Sequence, residues 1–202
     1  MSDTPSGPQL PASAPVVFTR AVEAIRAIEA RDDLIVTEIP APGGLAPHAF
    51  ALAADIVGAR GLADPDLGTG RFIILYDPDE PEQWGGAWRV VSFAQAPLET
   101  EIGLDPFVAD VAWSWLIDSL ATTGASYRSA SGTATKILSS GYGELADQGD
   151  GAQLELRASW SPEGDGLAAH VEAWSTLICT LAGLPPTVEG VTLLASRRVG
   201  RE

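Results

Sequence analysis

Read along the chain, apolar and polar positions change rhythm several times, and each change marks an element. Residues 1–14 are small and polar, rich in Pro, Ser and Gly, and read as a disordered lead. From residue 15 the spacing is helical. Val17, Phe18, Ala21, Ala24, Ile25 and Ile28 share one side of a wheel, with Arg20, Glu23 and Arg26 opposite, which predicts an amphipathic helix over residues 15–31. The rhythm then becomes that of strands. A β-branched run at 34–39, the alternation of Phe50, Leu52, Ala54 and Ile56, a continuous run at 72–76, and the alternation of Trp88, Val90 and Ser92 with Arg89, Val91 and Phe93 predict four strands. The Pro- and Gly-bearing stretch 77–86 reads as the loop between the last two.

Helical spacing returns at 105–123, strand spacing at 127–140 and 153–160, and helical spacing again at 166–183, where Gly183, Pro185 and Pro186 mark a stop. Residues 141–151 read as a loop. The order α-β4-α-β2-α predicts an α+β domain: an antiparallel sheet of about six strands with helices packed on one face. That order is similar to the secretion-chaperone-like fold, α-β3-α-β2-α, with one strand more. Likeness of element order carries no function with it.

Two helices bear tryptophan and differ in kind. In 105–123 the apolar arc centres on Ala109, Ala112, Leu116 and Leu120, and Trp113 and Trp115 fall on opposite flanks, because residues two apart lie about 200° apart around a helix. One of them must pack on something other than the face beneath the helix. Trp113 and Trp115, with Trp84 in the loop 77–86, are therefore the candidate partner-binding residues. In 166–183 a single stripe holds Leu167, His170, Val171, Trp174, Leu177, Ile178 and Leu181, while Glu172, Ser175, Thr176 and Cys179 oppose it. His170, Trp174 and Trp160 are the candidates to line a pocket between the sheet and the last helix.

Composition narrows the picture. With 202 residues, 46% hydrophobic and 19% charged, the chain suits one globular domain, placed at residues 15–194 and followed by a flexible basic tail at 195–202 that holds Arg197, Arg198 and Arg201. No apolar run is long enough to cross a bilayer, and the first residues lack the pattern of a signal peptide, so a cytoplasmic protein off the membrane is expected. A lone cysteine forbids an internal disulfide. Acidic residues outnumber basic ones 27 to 12, a net charge of -15, which opposes direct binding to nucleic acid.

Catalytic signatures are missing. There is no G-x-S-x-G elbow and no P-loop, and the Gly141, Gly143, Ala146 match to a dinucleotide fingerprint is followed by ELADQGDG, which does not read as a helix. His48, His170 and Cys179 are far apart in sequence, and the acidic loop Asp77, Asp79, Glu80 and Glu82 lacks the glycine of a calcium loop. No catalytic residue, metal ligand or cofactor is predicted. Cys179, without a neighbouring cation, reads as a passive thiol.

The segments GRFIILYDP (70–78), W-x4-RVV ending at Val91, VAWSWLIDSL (111–120), ASGTATK (130–136), LAAHVEAW (167–174) and GLPP (183–186) together resemble an uncharacterised actinobacterial domain-of-unknown-function family, DUF3000, over nearly the whole chain. The resemblance implies a cytosolic single-domain protein and brings no activity and no catalytic residues. Three readings follow. The first is a non-catalytic protein-binding or chaperone-like module, working with a protein partner or as a homodimer. The second is a small-ligand-binding domain or cryptic enzyme with its pocket between the sheet and the last helix. The third is an RNA-associated accessory protein that acts through a partner.

Overall fold

The computed structural model describes residues 14–58 and 61–184. In chain order these form α1 (Val16–Arg26), β1 (Leu34–Ile39), β2 (His48–Ile56), β3 (Thr69–Tyr76), β4 (Trp88–Leu98), α2 (Thr100–Leu104), α3 (Val108–Thr122), β5 (Tyr127–Ser140), a short 3-10 helix (Gly143–Gln148), β6 (Asp150–Pro162) and α4 (Leu167–Leu181). The lead expected at 1–14 falls outside the described residues except for Ala14, and the prolines after Gly183 and the basic tail lie outside them entirely.

The architecture is α+β, with one antiparallel sheet of six strands in the order β1-β2-β3-β4-β6-β5. The first four strands form a meander. The chain then passes through α2 and α3 to the far edge, lays down β5, and returns as β6 into the place between β5 and β4. One row across the helix-covered face shows how the sheet is graded: Glu38, Leu52, Phe72, Ser92, Ala158 and Gly132 lie side by side from the β1 edge to the β5 edge. The middle is apolar or small. Its two ends are a charge and a residue without a side chain.

Each helix is seated by something specific in that row or beside it. Phe18 of α1 is inserted among the rings of His48, Tyr76 and Trp88, with centroids 5.5 to 6.1 Å apart. α4 lies close over β3 because position 70 is glycine; a Cβ there would collide with Ile178 and Trp174. α3 lies close over β5 in the same way, since a Cβ at Gly132 would collide with the Arg157 carbonyl and with Trp113. Burying these apolar faces is the main stabilising term, worth roughly 25 cal/mol for each Å² of apolar surface removed from water.

Several expectations change in detail. α1 ends at Arg26 and not at residue 31, because Ile28 keeps the helical spacing yet packs against the core from the connecting segment, where Arg31 pairs with Asp33 at 2.6 Å. β4 runs on through Pro97, which the sheet tolerates because β3 has already ended opposite Gln95 and only β6 flanks position 97. α2 has 5 residues, too few to show a period. The stretch after Gly143, read as a loop, winds a 3-10 helix of 6 residues instead. Cys179 is a further correction: although it lies opposite the apolar stripe it is fully buried, with Arg31 and Asp33 of the segment leading into β1 close by.

Candidate functional site

Trp160, His170 and Trp174 do come together, but as sealed core. β6 and α4 bring them there; all three are 1% exposed or less, and none lines the cleft described below. The Trp160 indole donates to Nδ1 of His170 at 3.0 Å. An indole can only donate, so the imidazole proton sits on Nε2, and the ring donates in turn to the Ser126 carbonyl. Burial pushes the His170 pKa down from 6.5 to about 4, outweighing the Ser126 contact, which raises it. Trp174 donates to the Phe93 carbonyl at 3.2 Å. The group is a neutral clamp that ties α4 to β6 and β4. It corrects the expectation that these residues line a pocket: each polar atom that a ligand would need is already partnered inside the fold.

The other tryptophans do not share a surface. Trp113 and Trp115 are both half-buried against the core, with Trp113 over Gly132. Trp84 is half-buried in the β3–β4 loop, which Arg128 fastens to the start of β5 by donating to the Gly85 carbonyl at 2.8 Å. Cys179 is inert as well. Burial raises its thiol pKa to about 11, with nearby Arg31 acting weakly against this and Asp33 with it.

A cleft does exist between the sheet and α4, on the side away from His170. It encloses about 330 Å³ where the C-terminal end of α1 and α4 splay apart above β1 and β2. Val36, Phe50 and Leu52 form its floor, and Glu29, Glu172 and Ser175 stand on its rim. Arg26 lies over the Phe50 ring at 5.6 Å and donates to both carboxylate oxygens of Glu38, at 2.8 and 3.0 Å. The hydrogen bond to Glu38 is the largest influence on Arg26 and raises its pKa. Glu38 stood out in principle in the sequence: after Leu34 and Val36 it occupies an inward position of its strand, where a charge requires a partner. The charged groups along its lining are Arg26, Glu29, Arg31, Glu38 and Glu172.

The second feature is an open edge. β5 is 14 residues long and pairs with β6 alone, and its sequence YRSASGTATKILSS contains no Asp or Glu. A bulge at Arg128–Ser131, with Ser129 at φ 53, interrupts its start; from Ser131 to Ser140 its pairing is regular. The far end of this strand is surrounded by apolar side chains left in solvent. Among the described residues, eight of the fourteen exposed large hydrophobics lie between positions 102 and 145, on α2, the start of α3, the end of β5 and the 3-10 helix; Leu104, Phe107 and Tyr142 are 62%, 67% and 82% exposed. α2 is fixed there by Gly103 set against Leu138 and Ala152, and Lys136 donates to the Asp105 carbonyl at 2.9 Å. Exposed apolar groups that gather, unlike those scattered singly, mark interaction surfaces.

Among the described residues no helix is long and apolar enough to cross a membrane, and no three His, Cys, Asp or Glu side chains gather as a metal-binding group. No curated protein matches the chain, and no solved structure matches it. The model of a family described as "Protein of unknown function (DUF3000)" matches residues 14–192, close to the full span of the fold just described, and the chain belongs to that family.

Proposed function

We propose that this domain is a non-catalytic protein-binding module that meets its partner at the apolar corner where α2, the start of α3 and the end of β5 converge. The observation that carries this reading is the gathering of Ile102, Leu104, Phe107, Leu138, Tyr142 and Leu145 in solvent at one end of an open strand, in a chain of net charge -15; six other exposed large hydrophobics among the described residues, Val16, Val17, Leu45, Leu62, Leu67 and Val91, lie outside this stretch. Water-exposed apolar groups of this number are costly to maintain unless something covers them. The test is capture by the tagged protein against a Phe107→Ser/Leu138→Ser/Tyr142→Ser variant, both shown to be folded by circular dichroism. A partner recovered by the wild type and lost by about tenfold or more in the variant supports the reading, since tenfold is about 1.4 kcal/mol and each truncated contact contributes on that scale. Equal recovery by both overturns it.

A second reading is favoured by the cleft. Its apolar floor and its rim carboxylates Glu29 and Glu172 suit a small molecule with an apolar body and a cationic head, Glu38 being engaged by Arg26. Compounds of that class should raise the melting temperature of the wild type and leave a Ser175→Trp variant, whose cleft is filled, unmoved. A rise of equal size in both would remove this reading.

A further inference from the structure

We infer that the partner at this corner is a second copy of the same chain, joined by antiparallel pairing of β5 with β5 of that copy about a two-fold axis at Thr135. This rests on the protein-binding reading above and names the partner. An unpaired strand edge presents a row of backbone donors and acceptors, and folds normally blunt such edges with charge, proline, brevity or a bulge. β5 carries a bulge only at its start, which leaves the ten residues Ser131–Ser140 regular and free of proline and acid. At about 3.4 Å per residue these present roughly 34 Å of edge.

Charge permits this partner and selects the register. Two copies of net charge -15 repel each other, so they can approach most easily where acid is absent, and β5 has no Asp or Glu along its length. In antiparallel pairing about a two-fold, opposed residues must point to the same face, so their numbers sum to an even value. Overlap of Ser131–Ser140 with itself is nearly complete for two such registers. One opposes Lys136 to Lys136 of the other copy, and like charges directly opposite are destabilising. The other places Thr135 opposite Thr135, Lys136 opposite Ala134, Ile137 opposite Thr133 and Leu138 opposite Gly132. This second register separates the lysines and sets a large apolar side chain against a position that has none. It also makes one continuous sheet of the two domains and brings the two apolar corners to the shared edge, so that a single contact covers strand and corner together.

Thr135 is exposed and lies on the face of the sheet away from the helices, opposite Glu155 in β6, so it can be changed without entering the core. Sedimentation velocity over a wide concentration range should show a monomer–dimer equilibrium for the full chain. Thr135→Asp and Thr135→Lys should each weaken dimerisation by about tenfold, by setting like charges opposite one another across the axis, and an equal mixture of the two should recover it as a mixed dimer. Recovery on mixing separates a lost contact from a misfolded chain. A wild type that is monomeric at every concentration overturns the inference, as does a dimer that neither substitution weakens. If the chain stays monomeric while capture still depends on Phe107, Leu138 and Tyr142, the second copy is excluded and the protein-binding reading stands; if those three substitutions change neither capture nor self-association, that reading fails as well.

Discussion

The two edges of this sheet are built to opposite ends. β1 is 6 residues long, is preceded by Asp32 and Asp33 and followed by Pro40, and carries Glu38 locked to Arg26. Brevity, charge and proline are the means by which folds prevent strand addition. β5 is more than twice as long at 14 residues, has neither proline nor acid, carries Lys136 as the one charge of its regular stretch, and is flanked by exposed apolar side chains at its far end. Both edges belong to one sheet and one core, so the contrast is not a difference in stability of the fold beneath them. What it teaches is that an edge becomes a candidate interface through the protection it lacks. The cleft belongs to the closed edge and the apolar corner to the open one.

The largest expected effect concerns what the edges share. Burial holds His170 at about 4 against its ordinary 6.5, so between those values the unfolded chain binds a proton that the folded one refuses. Stability is therefore fully present above pH 6.5 and falls by about 3 kcal/mol as pH drops to about 4. Urea unfolding at stepped pH should show this, and His170→Gln, which keeps an acceptor for the Trp160 indole, should remove the His170 part of the slope. Because the clamp sits between α4 and β6, both edges should lose hydrogen-exchange protection together. If one edge opened first on acidification, the shared core would not be the common support.

A second substitution should separate the edges. Gly132→Val forces a Cβ into the Arg157 carbonyl and Trp113, and should cost about 2 kcal/mol by lifting α3 from β5. Exchange should rise in β5 and α3 with β1 unchanged; a uniform rise across the sheet would show that the edges are not independent. Smaller still is the effect of salt on association. Screening the mutual repulsion of two chains of charge -15 should tighten the dimer as ionic strength increases, and weakening with salt would mean that the contact is an ionic one. The smallest effect belongs to the closed edge. Glu38→Gln removes a pair whose side chains are 39% and 18% exposed, and should cost about 0.5 to 1 kcal/mol, seen as faster exchange in β1 alone.

The strands and the long helices were legible because their residues keep a period: the alternation of Phe50, Leu52 and Ala54 held against a helix-friendly run of alanines, and the α4 stripe from Leu167 to Leu181 is buried as its spacing implies. Contacts made across the fold were not legible. A wheel assumes one buried side and so puts Cys179 with the polar residues, although it is fully buried, with Arg31 and Asp33 just before β1 close by. The same wheel put His170 on the apolar stripe correctly, yet spacing cannot tell a sealed stripe from the wall of a pocket; that depended on Trp160 arriving from β6 to partner the ring. Trp113 and Trp115 are both half-buried against the core, Trp113 over Gly132 of β5. The exposed apolar residues are shorter-range features, Ile102 and Leu104 on a helix of 5 residues and Tyr142 after a strand, and no period marks them. The open edge itself was hidden in the strand order, since nothing in residues 127–140 announces that β6 returns inside β5.

Hydrogen exchange of β5 and β1 in the same sample, measured once where the chain is dilute and once where it is concentrated, separates an open edge from a closed one. Protection in Ser131–Ser140 should rise with concentration while Leu34–Ile39 stays as it was. Protection of β5 that is the same at both concentrations, or that rises equally in β1, would contradict it.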